Sequence, residues 1–222
     1  MSKIELFEHE RALAYNQFVA TWIPNYYSFL DAVPKILREV TPKKILVAGC
    51  GTGNEIVRFL QQDEQWEVTG VDPSPEMIVQ AKEQLKDFPN VRLIEGVVAD
   101  LDTDQKYQAA TLLLVLHFLE DNGDKLRTLQ DIAERLVPGA PFVMLDITGD
   151  RIQLADNLKI LKYLLPEGID AAQIEERLQR IQNDLFAVSE HRIAALFEES
   201  GFEAPVRFFQ SSIYMGWISK KK

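Results

Sequence analysis

The sequence predicts a doubly wound α/β fold built on a mostly parallel, Rossmann-like sheet. Three observations carry that prediction: short apolar runs alternate with amphipathic segments, a glycine-rich turn follows the first run, and an aspartate ends the second. Continuously apolar strands are what a sheet covered by helices on both faces requires, whereas a sheet with one wet face would alternate.

The 222 residues fit one domain with a sizeable core, and 46% apolar against 26% charged residues is globular composition rather than that of a disordered chain. A net charge of -10 disfavours a polyanionic partner without excluding a local basic pocket, so nucleic acid is not the expected ligand. Cys50 is the single cysteine, which rules out an intrachain disulfide. The longest strongly apolar run, Ala109 to Leu116, is far too short to cross a bilayer, and no signal peptide is read at the start. A cytoplasmic protein with no membrane partner is expected.

The elements follow in order within that single domain. Residues 1–40 form an N-terminal helical cap, with apolar positions Leu13, Phe18, Trp22, Tyr26, Phe29, Val33 and Leu37 at helical spacing. Pro24 separates two helices there, and Pro34 either occupies an early turn of the second or kinks it. Residues 41–148 form the cofactor-binding core. Its strands are read at Lys44–Ala48, Trp66–Val71, Val91–Glu95, Thr111–Leu116 and Phe142–Ile147, and its helices at 53–62, 75–86 and 126–136. Residues 149–187 are a helical insertion broken at Pro166-Glu167-Gly168. Residues 188–222 supply a last helix, ended near Gly201, and two closing strands at 204–209 and 212–218.

The chemistry centres on Gly49-Cys50-Gly51-Thr52-Gly53, where a strand meets a helix. Glycine permits a tight turn and lets a ligand approach the backbone closely at the carboxyl edge of a parallel sheet. Asp72 ends the next strand, twenty-one residues after Gly51, where its carboxylate can accept hydrogen bonds from both ribose hydroxyls. The pair points to a nucleoside cofactor, although Asp72 also fits as a cap for the helix opening at Pro75. The spacing G-x-G-x-G departs from the dinucleotide fingerprint, which argues against a nicotinamide oxidoreductase.

At these residues the sequence resembles the class I S-adenosylmethionine-dependent methyltransferases over about residues 40–219. The resemblance implies a seven-stranded sheet in the order 3-2-1-4-5-7-6, with the two closing strands at its antiparallel end. It implies S-adenosyl-L-methionine (SAM) as cofactor, S-adenosyl-L-homocysteine (SAH) as product, and no metal. Cofactor contacts fall by resemblance on Gly49, Cys50, Gly51 and Gly53, on Asp72 for the ribose, on Met77 against adenine, and on Asp100 for the adenine amine. The backbone at Ala99 and the segment from Leu116 complete the set. Burial in its helix also accounts for Met77, and solvation accounts for Asp100 with Asp102 and Asp104. His117 stands where the acceptor would approach, as a catalytic base or a satisfied structural histidine.

Two departures stand out: Val47 replaces a frequent acid in the first strand, and Ala109-Ala110 replace another at the start of the fourth. The leading segment, with Tyr15 and Trp22-Ile23-Pro24-Asn25-Tyr26, also resembles the cap of bacterial enzymes that modify tRNA wobble uridine or form carboxylated SAM. Arg11 lies one helical turn before Tyr15, and the aromatic residues of the cap are equally explained by packing. Methylation of a small-molecule acceptor is the expected function. The alternatives are RNA modification with SAM or a carboxylated relative, and a noncatalytic protein that binds the adenosyl cofactor.

Overall fold

A computed structural model describes residues 6–7 and 9–222. The first strand, β1 (Lys44–Ala48), alternates Ile45 and Val47 with Leu46 and Ala48, and every one of these side chains is buried. Ile45 and Val47 enter one apolar layer, Leu46 and Ala48 the other. A strand with two dry faces must lie in the middle of a sheet. β1 does so, pairing in parallel with β2 (Glu67–Asp72) on one side and β4 (Ala109–Leu113) on the other.

Beyond them lie β3 (Val91–Glu95) and β5 (Pro141–Ile147), and the sheet closes with β7 (Tyr214–Lys220) and β6 (Val206–Ser211) in the order β3-β2-β1-β4-β5-β7-β6. β7 runs antiparallel to both of its neighbours. This is the predicted strand order. The helices α4 (Asn54–Gln62), α5 (Pro75–Gln84) and α6 (Asp124–Glu134) make the crossovers, and α9 (Glu190–Glu199) leads into the closing hairpin. α6 and α9 bury Leu129, Ile132, Ile193 and Phe197 against one face, while α4 buries Ile56 and Phe59 on the other.

The cap contains three described helices rather than two: α1 (His9–Leu13), α2 (Tyr15–Trp22) and α3 (Tyr26–Ile36). Pro24 lies in the turn between α2 and α3, and Pro34 lies near the end of α3, which stops two residues later. The insertion is a pair of helices, α7 (Arg151–Leu164) and α8 (Ala171–Asp184). Each is capped by an aspartate, Asp150 and Asp170, whose carboxylate accepts from two first-turn amides.

Several boundaries move from their expected places. β4 stops at Leu113, because Leu114 takes a left-handed conformation with φ 61 and the chain turns into a short 3-10 turn at Leu116–Phe118. That turn is buried too, so apolar character does not mark the strand end. The closing strands begin two residues later than expected, since Ser212, at φ 56, and Ile213 form the turn between them. Among the described residues no helix is long and apolar enough to cross a membrane.

Candidate functional site

β1 delivers the chain at the carboxyl edge of the sheet, and Gly49, Gly51 and Gly53 all adopt positive φ there, at 66, 51 and 88. A Cβ on Gly49 would collide with Cγ2 of Val115, and one on Gly53 would sit 2.9 Å from Cδ1 of Leu85. Glycine is therefore required by conformation and by space. Gly49→Ala is expected to lower stability by about 2 kcal/mol through left-handed strain and overpacking, read as a lower urea midpoint at unchanged slope. An unchanged midpoint would show that the turn relaxes freely.

Asp72 holds this turn from below. Its Oδ2 accepts from the Gly51 amide at 2.9 Å, and its Oδ1 accepts from the Ser74 amide at 2.9 Å. Burial pushes its carboxyl above the ordinary range, opposed by those two amides. The side chain is only 8% exposed. A ribose hydroxyl reaching it would therefore meet an acceptor that few waters compete for.

A cavity of about 360 Å³ opens over the sheet edge beside the turn, walled by Gly49, Val71, Pro73, Val97, Ala99 and residues of α6. Of the expected contacts, Gly49 and Ala99 line it directly. Gly51 and Gly53 belong to the turn, while Cys50 packs beneath it: a Cβ on Gly70 would lie 3.0 Å from its Sγ. Burial pushes the Cys50 thiol up, so it is held neutral. Met77 is buried on α5. The Asp100 carboxylate turns back on its own segment, where Oδ2 accepts from the Val97 amide at 2.9 Å. Leu116 opens the 3-10 turn and is buried.

A second cavity, about 320 Å³, shares Phe118 with the first. Its walls are largely apolar, including Phe18, Ile147 and Leu185, with His117, Tyr214, Arg11 and Arg177 among them. His117 is 5% exposed, and its Nδ1 lies 2.8 Å from Oδ1 of Asp146 at the end of β5. Asp146 also accepts from the amides of Val115, Leu116, His117 and Ile147. A carboxylate so surrounded by donors can only accept, so Nδ1 of His117 donates to it. Lys125 donates to the Leu116 carbonyl behind this group, and burial pushes its amine down to about 8.

Arg177, on α8, is half-buried with its guanidinium 4.6 Å from the Phe18 ring centroid, and its Nε is a buried donor without a partner among the described residues. Burial lowers its pKa, opposed by the neighbouring Tyr214. The cap lines the second cavity through Phe7, Tyr15, Phe18 and Ile23. Asn16 Oδ1 accepts from Thr52 Oγ1 and from Asn54 Nδ2, each at 2.8 Å, tying α2 to the glycine turn. Phe7 donates its amide to Ser74 Oγ at 3.0 Å, and its ring packs edge-on against Tyr15 and Phe118. Arg11 and Tyr15, read as one helical face, both line the second cavity, although they belong to consecutive helices.

Sequence reasoning missed Asn16, Asp146 and Arg177. Asp146 did carry a signal, as an acid inside an otherwise apolar strand. Asn16 and Arg177 lie on amphipathic helices among other polar residues and carried none.

A methyltransferase-domain family model matches residues 46–142, from within β1 to the start of β5. The chain is 28% identical over 214 residues to carboxy-S-adenosyl-L-methionine synthase of Helicobacter pylori strain G27, covering 91% of this chain and 88% of that protein. It is 19% identical over 223 residues to carboxy-S-adenosyl-L-methionine synthase 1 of Yersinia pseudotuberculosis strain PB1/+, covering 96% and 92%. The structure of an O-methyltransferase family protein from Burkholderia thailandensis matches with a TM-score of 0.70 at 15% identity; the match takes in 97% of this chain, which spans 61% of that one. The chain has the class I SAM-dependent methyltransferase-like fold. Binding of SAM or SAH is supported by the domain match together with the turn and acid that the fold brings together.

Proposed function

We propose that this chain is a SAM-using enzyme whose second substrate carries a carboxylate, and that its reaction is formation of carboxy-S-adenosyl-L-methionine. The observation that carries this reading is Arg177, a cation with an unpartnered donor at the wall of an apolar cavity that adjoins the cofactor cleft across Phe118. A guanidinium in such surroundings favours a planar anion, because a carboxylate restores both the hydrogen bonds and the charge balance lost on burial. The carboxy-S-adenosyl-L-methionine synthases that align over nine-tenths of the chain support the choice of chemistry.

In that reaction a C–H bond of the sulfonium methyl group is replaced by a C–C bond. The methyl group gives up a proton, and the adjacent positive sulfur stabilises the electron pair left behind. The donor acid releases its carboxyl as CO2, which that pair captures, and a proton takes the place of the carboxyl on the donor. With Nδ1 donating to Asp146, Nε2 of His117 is the ring nitrogen suited to carry the proton. Arg177 holds the donor's carboxylate, and the apolar walls of the cavity exclude water from the exchange.

The same dyad supports a second reading, methylation of a small carboxylate-bearing acceptor, in which His117 takes the proton of a nucleophilic hydroxyl. Mass spectrometry separates the two. Incubation with SAM and a mixture of small carboxylic acids is expected to yield a cofactor heavier than SAM by one CO2, and accumulation of SAH with a methylated acid would favour methylation. Arg177→Met is expected to raise KM for the acid about 10- to 100-fold while SAM affinity stays within twofold. A KM that does not move would remove Arg177 from the site.

A further inference from the structure

The turn that carries His117 and Phe118 is pinned from several sides. Asp146 takes the amides of Val115, Leu116 and His117, the Phe186 amide donates to the His117 carbonyl at 2.8 Å, and the Leu119 amide donates to the Leu116 carbonyl at 3.0 Å. The entry to the turn is strained, since Leu114 holds φ 61, a conformation a leucine keeps only where its surroundings impose it. His117 and Phe118 both line the second cavity, and Phe118 lines the cofactor cleft as well.

Lys125 adds a charged pin. It is the second residue of α6 and 1% exposed, and its Nζ donates to the Leu116 carbonyl. The placement is unfavourable on two counts: an ammonium is costly to bury, and the first turn of a helix is the positive end of the helix dipole. Packing alone would be served by an uncharged side chain of the same length. Burial pushes the amine down to about 8, opposed by the carboxylates of Asp146 on β5 and Asp121 before α6, while Arg192 on α9 pushes the same way as burial. Arg192 is itself held by both oxygens of Asp121, at 2.9 and 3.1 Å, and by Glu199. Asp124, beside Lys125 on α6, pairs with Arg127. His117 completes the group from the turn, through Asp146.

We propose that Lys125 is a positioning residue for proton transfer at His117: its ammonium, bound to the Leu116 carbonyl behind Asp146, fixes the turn that presents the imidazole to the second cavity. The proposal rests on the reading of His117 as the proton carrier. The imidazole is anchored through Nδ1, so the direction of Nε2 follows from where the turn and Asp146 place the ring. A charged donor makes the stronger bond to a carbonyl. Loss of the Lys125 proton therefore loosens the turn, and proton transfer loses the alignment it needs.

The test is the rate of carboxy-S-adenosyl-L-methionine formation against pH, with stability measured alongside. Wild-type kcat is expected to fall about tenfold between about pH 7.5 and 9.5, as Lys125 gives up its proton. Lys125→Met is expected to lower kcat at neutral pH by about 10- to 100-fold, to leave KM for SAM and for the acid within about threefold, and to abolish the alkaline fall. Its urea midpoint is expected to match or exceed that of wild type. The Leu116 carbonyl keeps the Leu119 amide and Asp146 keeps its backbone amides, while a buried charge is removed. An alkaline fall that persists unchanged in K125M would overturn the proposal and point to Glu55, a buried acid that also ionises near 8. A kcat within threefold of wild type would overturn it too, and a loss of kcat matched by a lowered midpoint would make Lys125 a residue of the fold alone. In wild type itself, NMR with lysine labelled at Cε should show an amine titrating near 8, and no lysine titrating below about pH 9.5 would overturn the proposal without a variant. Folded wild type that forms no product at any pH would remove the carboxylation reading, and this role with it.

Discussion

Asp72→Asn is expected to weaken SAH binding by about 100-fold while the protein stays folded. The carboxylate has two duties that an amide cannot perform together. Its oxygens already accept from the Gly51 and Ser74 amides, and each keeps capacity for a ribose hydroxyl. An asparagine offers one oxygen and one NH2. Whichever way it turns, the NH2 faces a backbone N–H, so either the glycine turn or the start of α5 loses its partner, and one ribose hydroxyl loses its acceptor. A charge-assisted hydrogen bond is worth about 1.5 to 3 kcal/mol, roughly 10- to 100-fold in affinity, and displacement of the turn places the total at the upper end. The side chain is 8% exposed, so water recovers little of the loss. Calorimetry would measure the affinity, with circular dichroism to verify folding and Asp102→Asn as a control that removes a charge from an exposed loop. Asp72 is not the ribose clamp if D72N binds SAH within twofold of wild type.

The parts of this site that the sequence made legible are those written in backbone terms. A glycine turn after an apolar strand can be read because φ and space leave few other residues, and Asp72 can be read because strand order fixes its distance from that turn. The helical insertion followed from the pattern of apolar residues, and the sheet order from the family resemblance. Side-chain direction was not legible. Asp100 lies close to the cleft in sequence, yet its carboxylate caps its own turn, a choice made by the amide of Val97. The end of β4 was hidden for a related reason: Val115 and Leu116 are apolar like the strand before them, but their amides are drawn to Asp146, thirty residues away in the chain. Arg177 reaches its cavity only because α8 sets it beside Tyr214 and Phe18, a tertiary fact with no local pattern to announce it. Val47 marked the loss of a frequent acid, but nothing in the first strand showed that an acid on the next helix is buried in the same layer.

That acid is Glu55, and Glu55→Gln is expected to remove a large pH dependence from the protein's stability. Glu55 is the second residue of α4 and 6% exposed, with Oε1 lacking a partner among the described residues. The Thr111 hydroxyl is its polar neighbour, on the strand position that pairs with Val47. Burial pushes its carboxyl from 4.5 up to about 8, since no cation offsets the desolvation of the charged form. The folded state therefore holds a proton that the unfolded chain releases near its ordinary value. The sign follows by linkage: the stability contributed by the neutral acid is fully present below about pH 4.5, and it declines as pH rises until the folded group ionises near 8. Each unit of that window is worth about 1.4 kcal/mol, so the loss is on the order of a few kcal/mol, a large share of a typical folding free energy. Glutamine keeps the shape and cannot ionise. Urea unfolding from pH 4.5 to 9 should then show E55Q gaining steadily on wild type as pH rises, with the difference levelling off above about pH 8. Parallel stability curves for the two proteins across that range would show that Glu55 is charged in the fold, and that a cation or water supplies what its buried oxygen lacks.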